Sequence, residues 1–317
     1  MSQSKSLLLS VACLLAFTPG VALACACGCG VFDVGTGTML PTSEGGTVWF
    51  EYDFMNQTQN WNGTSAAPGA NNDDKIIRSN FFVAGTQYMF NRSWGVEAEV
   101  PYTDRVFKTT TGFPSAGDTQ IFDHAALGDI RVKGVYSGLS EDMSTGITFG
   151  LKLATGDFTY PNLDRDTSIG TGSTNLLLGA YHMGDLSGLT GMPFNWFADI
   201  QWDEAFITQQ NYRPGDELDA AIGSYYNGFD FGKAGKIAPL LQLLVSVREH
   251  DVGMNAAQPI DGIQQSGYQR LLISPGVEYD INAIKLYGDV ELPVWQHVNG
   301  DQLVAPVLVK LVVGYNF

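Results

Sequence analysis

The sequence predicts an all-β fold, a transmembrane antiparallel up-and-down β-barrel of about 12 strands, on the strength of three observations. Segments of about ten residues alternate apolar and polar side chains with a period of two, and charge is confined to one face. The connections between these segments alternate between short and long. The chain ends on an aromatic residue, Phe317, in a strand that is apolar on one face.

Composition agrees and removes other classes. Charged residues make up 16% of the chain, below the roughly 25% usual in soluble domains, while 37 glycines and 12% aromatics are plentiful. Beyond residue 24 no stretch is long and apolar enough for a membrane-crossing helix, which needs about 20 residues, so an inner-membrane helical protein is excluded. With 33 acidic residues against 17 basic ones, nucleic acid is not an expected partner.

The elements follow in chain order. Residues 1–24 carry Lys5, an apolar run from Leu7 to Phe17, a Pro19-Gly20 break and Ala22-Leu23-Ala24, the pattern of a secretory signal peptide. Residues 25–44 begin CACGCG and continue as a Gly-, Pro- and Ser-containing lead-in, expected at the periplasmic mouth. Residues 45–317 are the expected barrel. In TVWFEYDF, Val48, Phe50, Tyr52 and Phe54 oppose Glu51 and Asp53; in SWGVEAEVPY, Trp94, Val96, Ala98, Val100 and Tyr102 oppose Glu97 and Glu99. In GDIRVKGVY, Ile130, Val132 and Tyr136 oppose Asp129, Arg131 and Lys133. In IKLYGDVEL, Ile284, Leu286, Val290 and Leu292 oppose Lys285, Asp289 and Glu291; in the last strand, Val309, Leu311, Val313 and Tyr315 oppose Lys310.

Such segments lie near 47–56, 76–90, 94–109, 125–137, 144–156, 173–186, 194–206, 216–229, 236–249, 267–279, 283–296 and 303–317. Short turns follow the even-numbered strands and longer loops most odd-numbered ones, which places both ends in the periplasm of a Gram-negative bacterium, with outer-membrane lipid around the wall. Closure is expected because an open sheet edge in lipid leaves N–H and C=O groups unpaired at several kcal/mol each.

Three stretches between Ala126 and Tyr181 carry a further pattern. ALGDIRVKGVYSG opens a strand with Leu-Gly-Asp, GITFGLKLATGDF closes one with Gly-Leu-Lys-Leu-x-Thr-Gly-Asp, and GTGSTNLLLGAY opens the next with Gly-Ser-Thr. In this order they resemble the outer-membrane transporter family labelled for the meta-pathway of phenol degradation. The resemblance implies a channel-like protein that moves small organic compounds. CACGCG is not part of that pattern.

Register places many charges inward: the acids Glu51, Asp53, Glu97, Glu99, Asp129, Asp199, Asp203, Glu217, Asp219, Glu278, Asp289 and Glu291, and the bases Arg131, Lys133, Lys152, Arg248, Arg270, Lys285 and Lys310. They read equally well as the wall of a selective pore or as a packed interior of ion pairs. The acidic excess favours cations or neutral solutes as cargo. A lumen-side change at Lys310 is expected to cost less than a lipid-side change at Val309.

Cys25, Cys27 and Cys29 alternate with small residues and can converge on a soft metal, Cu(I) or Zn(II), or engage a periplasmic protein partner; the alternative to a channel is a barrel scaffold that docks a periplasmic metal-handling or electron-transfer partner through them. Three thiolates suffice for Cu(I), whereas tetrahedral Zn(II) needs a fourth ligand; acylation of Cys25 and thiol oxidation are the other readings. The loop acids Asp73, Asp74, Asp164 and Asp166 read as solvated charge in preference to a Ca²⁺ site. No enzyme is expected: the rival, a lipid hydrolase using Ser and His on the lipid face, has His182 as its one in-strand candidate and no legible triad.

Overall fold

The structure, a computed structural model, describes residues 40–70, 72–110, 119–255, 258–259 and 265–317. The expected signal peptide and the three cysteines lie outside the described residues. Twelve antiparallel strands form one closed barrel. They are β1 (Gly45–Gln57), β2 (Asp74–Met89), β3 (Trp94–Thr109), β4 in two segments (Gln120–Leu127 and Arg131–Tyr136), β5 (Thr145–Lys152) and β6 (Ser173–Asp185). The second half comprises β7 (Phe194–Thr208), β8 (Glu217–Tyr226), β9 (Lys236–Arg248), β10 (Tyr268–Ile281), β11 (Ile284–Val304) and β12 (Leu308–Asn316).

Each strand pairs with its neighbour in sequence, and β12 returns to β1 in a register running from Thr47↔Asn316 to Met55↔Leu308. The even-numbered strands end in compact turns. The tightest is 282–283, where Asn282 takes the left-handed conformation (φ 54°) that a two-residue hairpin turn demands.

The alternation read from the sequence is the alternation of the wall. Val96, Val100 and Tyr102 of β3 and Leu311, Val313 and Tyr315 of β12 face outward and are exposed, while Asp53, Lys310 and Val312 are buried inside. A barrel in lipid inverts the pattern of a soluble domain in this way, with an apolar belt outside and polar groups within. Aromatic pairs cluster on the edge that carries the compact turns and the C-terminus: Trp94 with Tyr136 (4.7 Å), Phe194 with Tyr226 (5.1 Å) and Tyr88 with Phe317 (6.4 Å). That edge is an interfacial girdle. Part of the lumen is filled: Met55, Phe197, Leu244, Leu272 and Leu308 form a buried inward cluster against which Leu40 packs.

Two strands differ from expectation. β11 extends to Val304, where the last strand was expected to begin at 303, because its outer half pairs with a short strand, Gln59–Gly63, in the β1–β2 loop. β4 begins at Gln120 and breaks at 128–130. Between the pairs Tyr102↔Leu127 and Glu99↔Arg131, two residues of β3 face three of β4. Pro101 stands opposite the break and has no N–H to give the ladder, so a bulge replaces regular pairing there.

Val309 faces lipid one residue into β12, beside Phe54 of β1 and Val290 of β11. Val309→Arg should destabilise the barrel by about 2–4 kcal/mol, read as a shift in the urea midpoint of folding into phospholipid bilayers. An unchanged midpoint would mean that this face does not meet lipid.

Candidate functional site

The break in β4 is where the lumen is organised. Asp129 sits within it and holds the β5–β6 loop, residues 153–172. Its Oδ1 accepts from Gly156 N (2.9 Å), and its Oδ2 accepts from both the backbone N–H (2.8 Å) and the hydroxyl (2.6 Å) of Thr171. Thr155 Oγ1 donates to Gly128 O (3.2 Å) and accepts from Ile130 N (2.9 Å). Loop backbone extends the broken ladder, with Leu153 N donating to Ile130 O (2.8 Å) and Asp157 N to Leu127 O (3.2 Å). A Cβ on Gly156 would meet the backbones of Gly170 and Gly128 at 2.7–2.9 Å, so three main chains can touch there only as glycines. Leu-Gly-Asp, Thr-Gly-Asp and Gly-Thr-Gly-Ser, separate in the sequence, are thus one knot in space.

On the lumen side of β4, where His124 stands across from Arg105, the loop is fastened again. His124 Nε2 lies 2.9 Å from Asp157 Oδ2, and its ring stacks on Tyr160 at 3.9 Å. The Asp157 carboxyl is held below the ordinary carboxylate range, first by the backbone N–H of Thr159 and then by His124 and the Thr159 hydroxyl.

From this anchorage the loop turns inward. Leu163, Asp166 and Thr167 are buried, and Arg105 Nη1 donates to the carbonyls of Thr167 and Ser168 while its Nε donates to Ser79 Oγ (2.9 Å). The Arg165 guanidinium lies 4.1 Å above the Tyr212 ring and 5.1 Å from Phe158. Tyr212 is fixed in turn by its hydroxyl donating to Asp251 Oδ2 (2.6 Å), whose Oδ1 accepts from Arg248 (2.8 Å). The inward fold corrects the reading of the loop acids as solvated: Asp74 is 1% and Asp166 7% exposed. Among the described residues, no group of three or more His, Cys, Asp or Glu side chains is arranged to hold a metal ion.

Two cavities occupy the lumen below this loop. The outer one, ≈ 160 Å³, lies between the loop and the β1–β5 wall; the inner one, ≈ 110 Å³, reaches Leu40 and Pro41 at the periplasmic end. They share Glu51, Val83 and Arg131 at their junction.

The expected lumen charges fall into distinct settings. Around the inner cavity, Lys133 pairs with Glu97 (2.6 Å) and Arg131 with Glu99 (3.7 Å), and Asp199 completes the rim. In the outer cavity, Lys152 pairs with Asp203, whose other oxygen accepts from Asn175 (2.5 Å), while Arg248 is committed to Asp251. Glu217 accepts from the Tyr268 hydroxyl (2.6 Å), and Arg270 stacks on the Tyr268 ring at 3.9 Å. Near the periplasmic end Lys285 pairs with Glu278 (3.6 Å). Asp219 is buried inside the barrel, and Asp129 is the tether described above.

Lys310 is the exceptional cation. It stands directly across from Asp53 on β1 and Asp289 on β11, with Glu51 and Glu291 one inward step away, so one buried ammonium serves four carboxylates. Asp289 Oδ2 is further held by Gln242, Ser274 and the Tyr287 hydroxyl at 2.6–2.9 Å. Losing Lys310 is therefore predicted to be expensive, where the sequence led to the expectation that a lumen-side change costs less than a lipid-side one.

Arg105 and Arg165 were not among the expected site residues. Arg105 lies in phase with Glu97 and Glu99 on β3, so alternation alone marks it; nothing in the sequence marks Arg165.

No protein-family model matches the chain, and no curated protein matches it in sequence. Among solved structures, an outer-membrane channel from Pseudomonas putida F1 superposes with a TM-score of 0.61 at 14% identity, over 90% of this chain and 100% of that one. The β domain of the Bordetella autotransporter BrkA gives 0.49 at 10% identity over 86% and 100% of the two chains. The Pseudomonas putida toluene transporter TodX gives 0.41 at 11% over 94% and 95%. At such identities the first bears on fold alone, and the other two, with TM-scores under 0.5, carry no weight.

Two outcomes follow from the site. Asp129→Ala removes three hydrogen bonds to a carboxylate; it should cost on the order of 3 kcal/mol and make the loop cleavable by trypsin after Arg165, followed by mass spectrometry. Lys310→Met leaves three buried carboxylates and the half-buried Glu51 without their cation and should cost about 3–5 kcal/mol, at least as much as Val309→Arg, in the same urea titration.

Proposed function

We propose that the protein is an outer-membrane channel for small solutes, with small organic compounds or cations as its cargo. The observation that carries this reading is the pair of cavities stacked along the barrel and joined at Glu51, Val83 and Arg131. They form an interrupted path from the inward-folded loop to Leu40 and Pro41. A barrel with a merely packed interior has no need of a loop tethered over a space. The likeness in fold to an outer-membrane channel supports the reading, as does the motif resemblance of residues 126–181 to the phenol meta-pathway transporter group. Transport is preferred to catalysis: His182 faces lipid as that rival needs, but the hydroxyl beside its Nδ1, at 2.7 Å, belongs to Thr145 and not to a serine, and its ring lies against Trp196.

The thiols belong to the same proposal. Cys25, Cys27 and Cys29 precede Leu40, which enters the inner cavity, by a short stretch of chain. At the periplasmic mouth they would hold Cu(I) or Zn(II), or capture a periplasmic partner that handles such a metal.

Reconstituted in planar bilayers, the protein should conduct in discrete steps with a preference for cations. Replacing Glu97 and Glu99 by Gln strips Lys133 and Arg131 of their counter-charges, so the preference should fall or reverse, read as a shift in reversal potential under a salt gradient. A barrel that is electrically silent and admits no small solute would contradict the reading. Replacing the three cysteines by Ser should leave insertion intact and abolish metal retention, and wild-type retention should weaken as pH falls because the ligand is the thiolate.

A further inference from the structure

Glu51, Val83 and Arg131 line both cavities, so the passage from one to the other runs past these three side chains. They are not equivalent. Val83 branches at Cβ and ends close to the wall. Glu51 lies beside the closing seam, where Lys310 is its counter-charge. Arg131 has the longest side chain of the three and carries a planar cation at its tip, charged at every accessible pH.

That charge faces the path. The Arg131 side chain is 24% exposed, against 11% for Lys133 and 12% for Lys152. The two lysines flank it on the lumen face, Lys133 two residues along β4 and Lys152 directly across on β5. Like charges so placed disfavour the sheet, and each lysine is answered at close range, Lys133 by Glu97 at 2.6 Å and Lys152 by Asp203. Arg131 stands 3.7 Å from Glu99, a carboxylate that Lys133 also approaches, at 3.9 Å. On the periplasmic side the inner cavity is acidic, with Glu51, Glu97, Glu99 and Asp199 against Lys133 and Arg131 itself. A cation is drawn into that cavity and meets Arg131 where it would leave.

We propose that Arg131 is the specificity-determining residue of the path: it holds cations back at the junction of the cavities and leaves neutral small organic solutes as the favoured cargo. This narrows the cargo of the channel reading and rests on it. Coulomb repulsion acts on an ion and spares a neutral solute, whereas side-chain bulk alone holds back both. The acidic lining still admits cations in preference to anions; Arg131 sets how fast they cross.

The test compares wild type with Arg131→Met, which keeps a long side chain and removes the charge. The full chain is reconstituted and read in two ways: potassium conductance in planar bilayers and ribose entry into proteoliposomes. Potassium conductance should rise about five-fold, the factor that corresponds to about 1 kcal/mol of repulsion between unit charges about 4 Å apart in water. The reversal potential should shift further toward cations, and ribose entry should stay at the wild-type rate. Conductance and ribose entry that change together, or that both stay unchanged, would overturn the assignment. Should the Met variant fail to fold, shown by lost heat-modifiable mobility, Arg131→Lys decides: it keeps the charge and should keep the wild-type reversal potential, and a shifted potential overturns the assignment. If neither variant folds, Arg131 serves the fold and the proposal falls. Wild type separates the two readings. If neither potassium nor ribose crosses, the channel reading itself fails; if both cross and the Met variant does not part them, the channel stands and Arg131 does not set its specificity.

Discussion

The pairing of β12 with β1 is the constraint from which the rest follows. In lipid an unpaired strand edge has no water to turn to, so the sheet must close, and the register Asp53↔Lys310 is part of that closing seam. Closure has a consequence for the interior. Every second side chain of twelve strands is directed into a space too narrow to be fully hydrated, and many of these side chains are charged. They are accommodated in pairs, such as Lys133 with Glu97 and Lys152 with Asp203, or in the cluster around Lys310. The seam of the barrel and its most acidic patch are the same place.

A second constraint comes from one irregularity. Pro101 prevents continuous pairing between β3 and β4, and the bulge opposite it directs Asp129 at the loop instead of at another strand. Three glycines let the loop backbone pass against the broken strand, and Asp129 supplies acceptors for the N–H groups that this passage exposes. The loop then carries Arg165 into the lumen. A local defect in the sheet thus sets the ceiling of the outer cavity and the chemistry of one of its sides.

Much of the wall was legible in the sequence. β3 lies where alternation places it, Trp94–Thr109, and the outward exposure of Leu311 and Val313 against the burial of Lys310 and Val312 follows the pattern of the last strand. Period-two alternation reports such features because each residue's face depends on its position alone. The break at 128–130 was not legible, since Ile130, Val132 and Tyr136 continue the apolar phase across it. The burial of Asp74 and Asp166 was hidden for another reason. It depends on an inward fold held by Asp129, Arg105 and Tyr212, residues far away in the chain, and no local composition encodes that convergence. The motifs around Gly128, Gly156 and Gly170 were visible as a pattern, but their cause, a meeting of three backbones, is visible only in space.

The central claim is that the two cavities form one solute path through the barrel. Val83 lines both and marks their junction. The most direct measurement places a single cysteine there, Val83→Cys, in a chain whose Cys25, Cys27 and Cys29 are replaced by serine, and applies a small, charged, membrane-impermeant thiol reagent during bilayer recording. The account predicts that the reagent modifies the cysteine and that conductance falls as it does so. Undiminished conductance with an unmodified thiol would show that ions cross elsewhere, and the path described would be wrong.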